Sequence, residues 1–358
     1  MDETPRAPVT GWQILRRNIV RVVIGAVLVT AVYGVVRVYS TNLREQPSTS
    51  LREQRIARDV ESLTTGFVRV GTVHYENSRI AEVWIDGTFL KLDGQTLSAK
   101  LVSEFVSLTN LKVLSLNDTQ VTDAELQHLN GLTNLRKLGL ANTQITDTVL
   151  PHLKRMNKLE WLYLDGTQVT DAGLEHLTGL TSLVGLRLDN TQITGVGLLR
   201  LKGLTRLDFL NLANTQLTDA GLAHLKGHPS LRRLELEDTQ VTDAGLEHLQ
   251  GLPNLESVTL NSTHVTDVGL ERLKAMVKLK GLSLKNTQVT DAGLEHLKGL
   301  VNLEGLTLDS THVTDSGMKH LTVLTRLQVL SLAKTQVTSK GRSLLRSALP
   351  HCATDEDF

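Results

Sequence analysis

One cysteine, Cys352, stands in 358 residues, so the chain has neither an internal disulfide framework nor a cysteine-based zinc site. Aromatic residues make up only 3 %, too few for the aromatic-rich core of a large globular domain. The core must be aliphatic. Neither sign of charge is in excess: Lys+Arg and Asp+Glu number 38 each, which excludes a general electrostatic grip on nucleic acid. Prolines number seven, and a 40 % hydrophobic content does not suit a disordered chain. Walker, G-x-S-x-G and H-E-x-x-H motifs are all missing, and Gly195-Val196-Gly197 is a lone G-x-G without a nucleotide-binding strand before it. No nucleophile–base pair points to an enzyme, and no cofactor is implied.

The longest apolar run is IVRVVIGAVLVTAVYGVVRVY, residues 19–39. As a helix it would span roughly 31 Å, about the hydrocarbon thickness of a bilayer. Arg21 and Arg37 bracket its uncharged centre and can snorkel to opposite interfaces. Valine on every side, with no polar face, argues against a buried soluble helix. Val38-Tyr39-Ser40 is a poor cleavage site, so an uncleaved anchor is expected. Arg6, Arg16, Arg17 and Arg21 outnumber the arginines just beyond the run. The positive-inside bias therefore places residues 1–18 in the cytoplasm and the rest outside it, in the cell envelope. Residues 40–50 read as a polar stalk.

Beyond that, one motif is written many times. Threonines recur at Thr119, Thr143, Thr167, Thr191, Thr215, Thr239, Thr263, Thr287, Thr311 and Thr335, 24 residues apart throughout. The pattern is L-x-x-L-x-L-x-x-T-x-V-T-D-x-G-L-x-x-L-x-x-L. Leu114-x-Leu116 has the period of a strand; Leu126, Leu129 and Leu132 have helical spacing. Thr122 or Asp123 suits the N-cap between them. No unit can bury its leucines alone. Stacked, the strands pair in parallel about 4.8 Å apart while the bulkier helical sides spread, so the stack curves with its strands on the concave side. The marker threonine should turn inward and bond the turn backbone.

These units resemble leucine-rich repeats, and T-x-V-T-D-x-G-L-x-x-L is similar to a bacterial class related to the cysteine-containing repeats of F-box-associated proteins, with Thr in place of Cys. The resemblance covers residues 111–348. It implies an α/β solenoid, a horseshoe of parallel strands and convex helices that binds other molecules on its concave face. It names no ligand. Residues 51–110 are expected to hold an N-terminal cap and a divergent first unit. Within them, 66–75 and 79–85 read as paired strands, and Val83-Trp84-Ile85-Asp86-Gly87-Thr88 mimics the strand-to-threonine segment. Residues 111–348 supply ten units ending in a cap helix, in which Arg342 replaces the first leucine; residues 349–358 read as an acidic tail.

Concave positions fall six, four and two residues before each threonine. The only aromatic residues of the repeats, Trp161, Tyr163 and Phe209, all occupy them, with Arg187, Asn211, Arg233 and Glu235 beside them. Asp165 and Asp189 lie one step further along. Aromatics next to arginine on a face of small residues resemble a binding hot spot. They would bury apolar ligand surface while Arg187 and Arg233 pair with acidic or carbonyl groups. Against this, aromatics favour strands in any case and can pack on neighbouring strands.

Two ladders accompany the repeat. Histidines from His128 to His320 share one helical position, where Arg200 and Arg272 are also accepted, which suggests a solvated row. Aspartates from Asp123 to Asp315 suggest helix capping rather than calcium, since Gly195 and Ser339 break the row. His228 stands where other units place Leu or Met, as a satisfied polar group or a weak point. The expected function is a membrane-anchored scaffold for a protein, peptide or glycan. An intracellular F-box-like substrate adaptor is the alternative; it needs a helical docking module where the sequence offers an apolar span, a stalk and strands.

Overall fold

The structure, a computed structural model, describes residues 111–127 and 129–354, together with the backbone of two strands at 70–76 and 79–85. The apolar run 19–39, the stalk and most of 51–110 lie outside the described residues, as do His128 and residues 355–358. Among the described residues no helix is long and apolar enough to cross a membrane.

Thirteen strands form one sheet in chain order. β1 (Val70–Glu76) and β2 (Arg79–Ile85) make an antiparallel pair. Then come β3 (Val113–Ser115), β4 (Lys137–Gly139), β5 (Trp161–Tyr163), β6 (Gly185–Arg187), β7 (Phe209–Asn211) and β8 (Arg233–Glu235). β9 (Ser257–Thr259), β10 (Gly281–Ser283), β11 (Gly305–Thr307), β12 (Val329–Ser331) and β13 (Ala353–Thr354) complete it. From β2 onward every strand pairs in parallel with the next. Val83 pairs with Leu114 and Trp84 with Ser115, the register that the mimicry of 83–88 predicts. At the other edge β13 covers β12, so part of the segment expected to be a tail is a strand.

Each strand from β3 to β12 is three residues because only its middle side chain enters the core, and the chain then turns at once. The turn needs a left-handed residue. The position before every marker threonine has φ between +51° and +66°, filled by Asp, Asn, Ser, Gly or, once, Lys334. Asn and Asp tolerate that region and Gly has no Cβ to clash. The threonine then closes the turn: in all ten units its hydroxyl donates to the carbonyl three residues back at 2.5–2.7 Å, as from Thr239 to Leu236. This satisfies a carbonyl in an otherwise leucine-lined interior.

The core is one aliphatic column. A single unit contributes Leu231, Leu234, Leu236, Val241, Leu246 and Leu249, none more than 1 % exposed. Its outer side consists of short α-helical and 3-10 turns rather than long helices; the longest helix among the described residues, Ser339–Ala348, ends the stack. There Arg342 reaches back to the Leu332 carbonyl at 3.4 Å.

The aspartate row has a different task from the one expected. Thr, not Asp, is the helix cap: Thr266 is extended and its hydroxyl accepts from the Val268 N–H. The preceding unit's Asp243 accepts the Thr266 N–H at 2.8 Å on one oxygen and the Thr266 hydroxyl at 2.7 Å on the other. Eight aspartates clamp the N–H and hydroxyl of the next coil's threonine. The glycine of T-D-x-G makes room: a Cβ on Gly269 would lie 2.3 Å from Asp243 Oδ1. One seam lacks the clamp. Gly195 stands there at φ +109°, a Cβ on it would meet the Gly221 Cα at 2.5 Å, and Thr218 makes no side-chain cap bond. Close backbone contact replaces the carboxylate.

Candidate binding site on the solvent face of the sheet

Alternation along each three-residue strand puts its first and third side chains on the face opposite the core. In-register parallel pairing then stacks equivalent positions in columns. Trp161, Gly185, Phe209 and Arg233 are partners in one column; Tyr163, Arg187, Asn211 and Glu235 are partners in the next. All seven sequence-derived candidates therefore lie on four adjacent strands.

The aromatics meet. Trp161 stacks on Tyr163 with ring centroids 6.1 Å apart and planes 19° apart, and it also contacts Phe209 at 6.0 Å. Arg233 lies 5.4 Å from the Phe209 ring centroid. The result is a continuous run, Tyr163–Trp161–Phe209–Arg233, within the range for aromatic and cation–π contact. Phe209 is only 6 % exposed, so it supports the run more than it presents a surface. Trp161 and Tyr163 remain half-buried. Aromatics gathered in one place and packed on neighbouring strands thus prove to be the same arrangement.

Gly185 makes this contact possible and is the residue that the sequence pattern alone did not single out. Trp161 reaches Phe209 across it: a Cβ at 185 would sit 2.2 Å from two Trp161 ring atoms. The signal was a glycine in the column between two aromatics.

The arginines behave differently from expectation. Arg187 binds Asp189 with two hydrogen bonds, 3.1 and 3.2 Å, and pairs with Asp165 at 3.5 Å. Arg233 pairs with Asp208 at 3.1 Å. Both guanidinium groups are neutralised by the chain itself, so neither is held open for an acidic ligand. Asn211 is 4 % exposed and its oxygen accepts from the Ala213 N–H, a turn bond that occupies it.

Acidic groups nevertheless outnumber the two guanidinium groups on these strands. Burial pushes Asp165 up to about 6 despite Arg187, with Asp189 and Asp118 adding to the rise. Burial likewise raises Glu235, which also faces Asp189 and Glu237, against Arg187 and Arg233. Tyr163 is raised chiefly by burial, which keeps its phenol neutral.

The two ladders lie away from this face. The described histidines of the row are half-buried rather than fully solvated, while Arg200 and Arg272 are exposed. Burial lowers His320, with Lys298 and Lys319 acting in the same direction. The aspartates have their carboxylate oxygens occupied by the next coil, which leaves calcium no role in explaining them. Among the described residues no group of three or more His, Cys, Asp or Glu could hold a metal. His228 is buried, and its ring nitrogens lie by the Leu201 and Leu204 backbone without completing a hydrogen bond of ordinary geometry; it is a weak point rather than a well-satisfied polar residue.

A family model described as a leucine-rich repeat region matches residues 95–354. No curated protein matches the chain. Among solved structures it resembles an internalin from Listeria monocytogenes at 23 % identity and a TM-score of 0.49, covering 70 % of this chain and 82 % of that one. A leucine-rich-repeat protein of Leptospira interrogans shows 19 % identity over 70 % of this chain and 86 % of that one, TM-score 0.42. TLR13, solved with the single-stranded RNA ssRNA13, shows 19 % identity and a TM-score of 0.51 over 68 % of this chain but 35 % of its own.

Proposed function

Because this chain belongs to the leucine-rich-repeat family, we propose that it is a non-enzymatic, membrane-anchored scaffold that recognises a protein, peptide or glycan on the exposed face of its sheet. The observation that carries this reading is the aromatic run from Tyr163 through Trp161 to Phe209, which is built across three strands of an uninterrupted sheet. Among the described residues from β3 onward, short turns and helices connect the strands and leave no long loop on which a catalytic group could be grafted, so recognition falls to the sheet face. Half-buried aromatics over a rigid backbone offer contact area without loss of loop entropy. RNA, the ligand in the TLR13 complex, is a polyanion and would be repelled by Asp165, Asp189, Glu235 and Glu237.

Residues 19–39 serve in this reading as the bilayer anchor, with residues 1–18 cytoplasmic and the repeats extracytoplasmic. Reporter fusions at the two termini test the orientation: both reporters active in the same compartment would remove the anchor. The F-box-like adaptor is not favoured, since strands β1 and β2 occupy part of the space its docking module would need. Binding is tested by replacing Trp161, Tyr163 and Phe209 with alanine and measuring capture from envelope extracts. Capture should be lost with the circular dichroism unchanged; undiminished capture by the folded variant refutes the site.

A further inference from the structure

The charge on this face selects among the partners that the proposed function leaves open, a selection that depends on that function being correct. Trp161 and Tyr163 offer half-buried ring faces, which attract cations. Around them Asp165, Asp189, Glu235 and Glu237 outnumber the cations Arg187, Arg233, which also pairs with Asp208, and Lys137, the register partner of Trp161 on β4. One oxygen of Asp165 is buried without a hydrogen bond, having only the 3.5 Å ion pair to Arg187. Asp165, in the turn after β5, and Glu235, on β8, lie three strand steps apart, roughly 14 Å across the sheet at the usual strand spacing.

We propose that this face docks a basic, extended peptide segment of a partner protein, with one lysine or arginine laid along Trp161 and Tyr163 toward Asp165 and a second reaching Glu235. An extended chain advances about 3.3 Å per residue, so side chains four residues apart match that separation. Desolvated carboxylates favour a cation; an acidic or neutral segment would leave them unmatched.

The groups facing Asp165 are Arg187, Asp189, Asp118 and Tyr163, and those facing Glu235 are Arg187, Asp189, Glu237 and Arg233. Above about pH 6 Asp165 is ionised and attracts the cation; as pH falls through that value it takes a proton and the attraction is lost. Binding should therefore weaken as the pH is lowered from neutral through about 6.

The test uses the full chain in detergent and three labelled probes: a Gly/Ser decapeptide with two lysines four residues apart, the same peptide with glutamates, and a short single-stranded RNA. Fluorescence anisotropy should show binding of the lysine peptide only. Asp165→Asn with Glu235→Gln should weaken it by about tenfold or more, the scale of one lost charge pair. Glu295→Gln, remote on the helical side, should not weaken it. Preference for the glutamate peptide or RNA, or binding indifferent to the double variant, overturns the basic-partner inference. If the triple alanine variant still loses capture from extracts in that case, the binding face survives and only its charge preference is wrong.

Discussion

Removing one aspartate clamp measures how the coils are held together. Asp243→Ala deletes the acceptors of the Thr266 N–H and hydroxyl, now bonded at 2.8 and 2.7 Å. A net hydrogen bond contributes about 1 kcal/mol, and somewhat more when its acceptor is charged, so two give roughly 2–3 kcal/mol. Asp243→Asn keeps one acceptor oxygen for the N–H but offers the hydroxyl a donor, and should lose about half as much. The fold supplies its own control. Ser339 occupies the same position in the last unit, where the next segment has no clamped threonine, so Ser339→Ala should change stability by less than about 0.5 kcal/mol. Urea unfolding followed by circular dichroism gives all three values. A clamp role is refuted if Asp243→Ala is as stable as wild type, or if Ser339→Ala loses as much. Gly195→Asp is no repair of the unclamped seam: its Cβ would meet Gly221 backbone at 2.5 Å, and the variant should be destabilised.

His228→Leu should stabilise the fold by about 1–2 kcal/mol at pH 7, because a buried ring whose nitrogens are poorly satisfied is replaced by an apolar side chain. Burial lowers the folded-state pKa of His228, with the Leu201 and Leu204 backbone pulling the other way. The unfolded chain therefore binds the proton first, stability falls as pH drops below about 6.5, and His228→Leu should flatten that slope in urea titrations. Asp315 is held below the usual carboxylate range, first by the Thr338 hydroxyl bond, then by the Thr338 backbone; its contribution is present above the unfolded-state pKa and lost as pH falls through the lowered one. Hydrogen-exchange protection factors in the last units, which are corrected for the intrinsic pH dependence of exchange, should fall over that acidic window. Gly185→Ala should push Trp161 off Phe209, changing the near-ultraviolet circular dichroism while leaving the far-ultraviolet spectrum and the other strands intact. An unchanged aromatic signal would show that the stack does not depend on that gap.

The repeat period, the strand and helical halves of each unit, the inward threonine and even the register of β2 on β3 were legible in the sequence. They are local and repeated: a leucine at strand spacing or a threonine after a turn meets the same surroundings ten times, so the pattern states its own environment. The left-handed residue before each threonine leaves its trace there as well, in the recurrence of Asn, Asp, Ser or Gly at that position.

What only the tertiary structure decided lies between coils. Asp243 looks like a cap from its place beside Thr242, yet its carboxylate points to Thr266, 23 residues on. Arg187 and Arg233 looked available until neighbouring aspartates were seen to hold them, which reversed the sign of charge the face presents. Stacking brings together residues that sequence keeps a full turn apart, and charges and close contacts act through space at a few ångströms. A pattern along the chain therefore specifies each coil, while the site belongs to the distances between them.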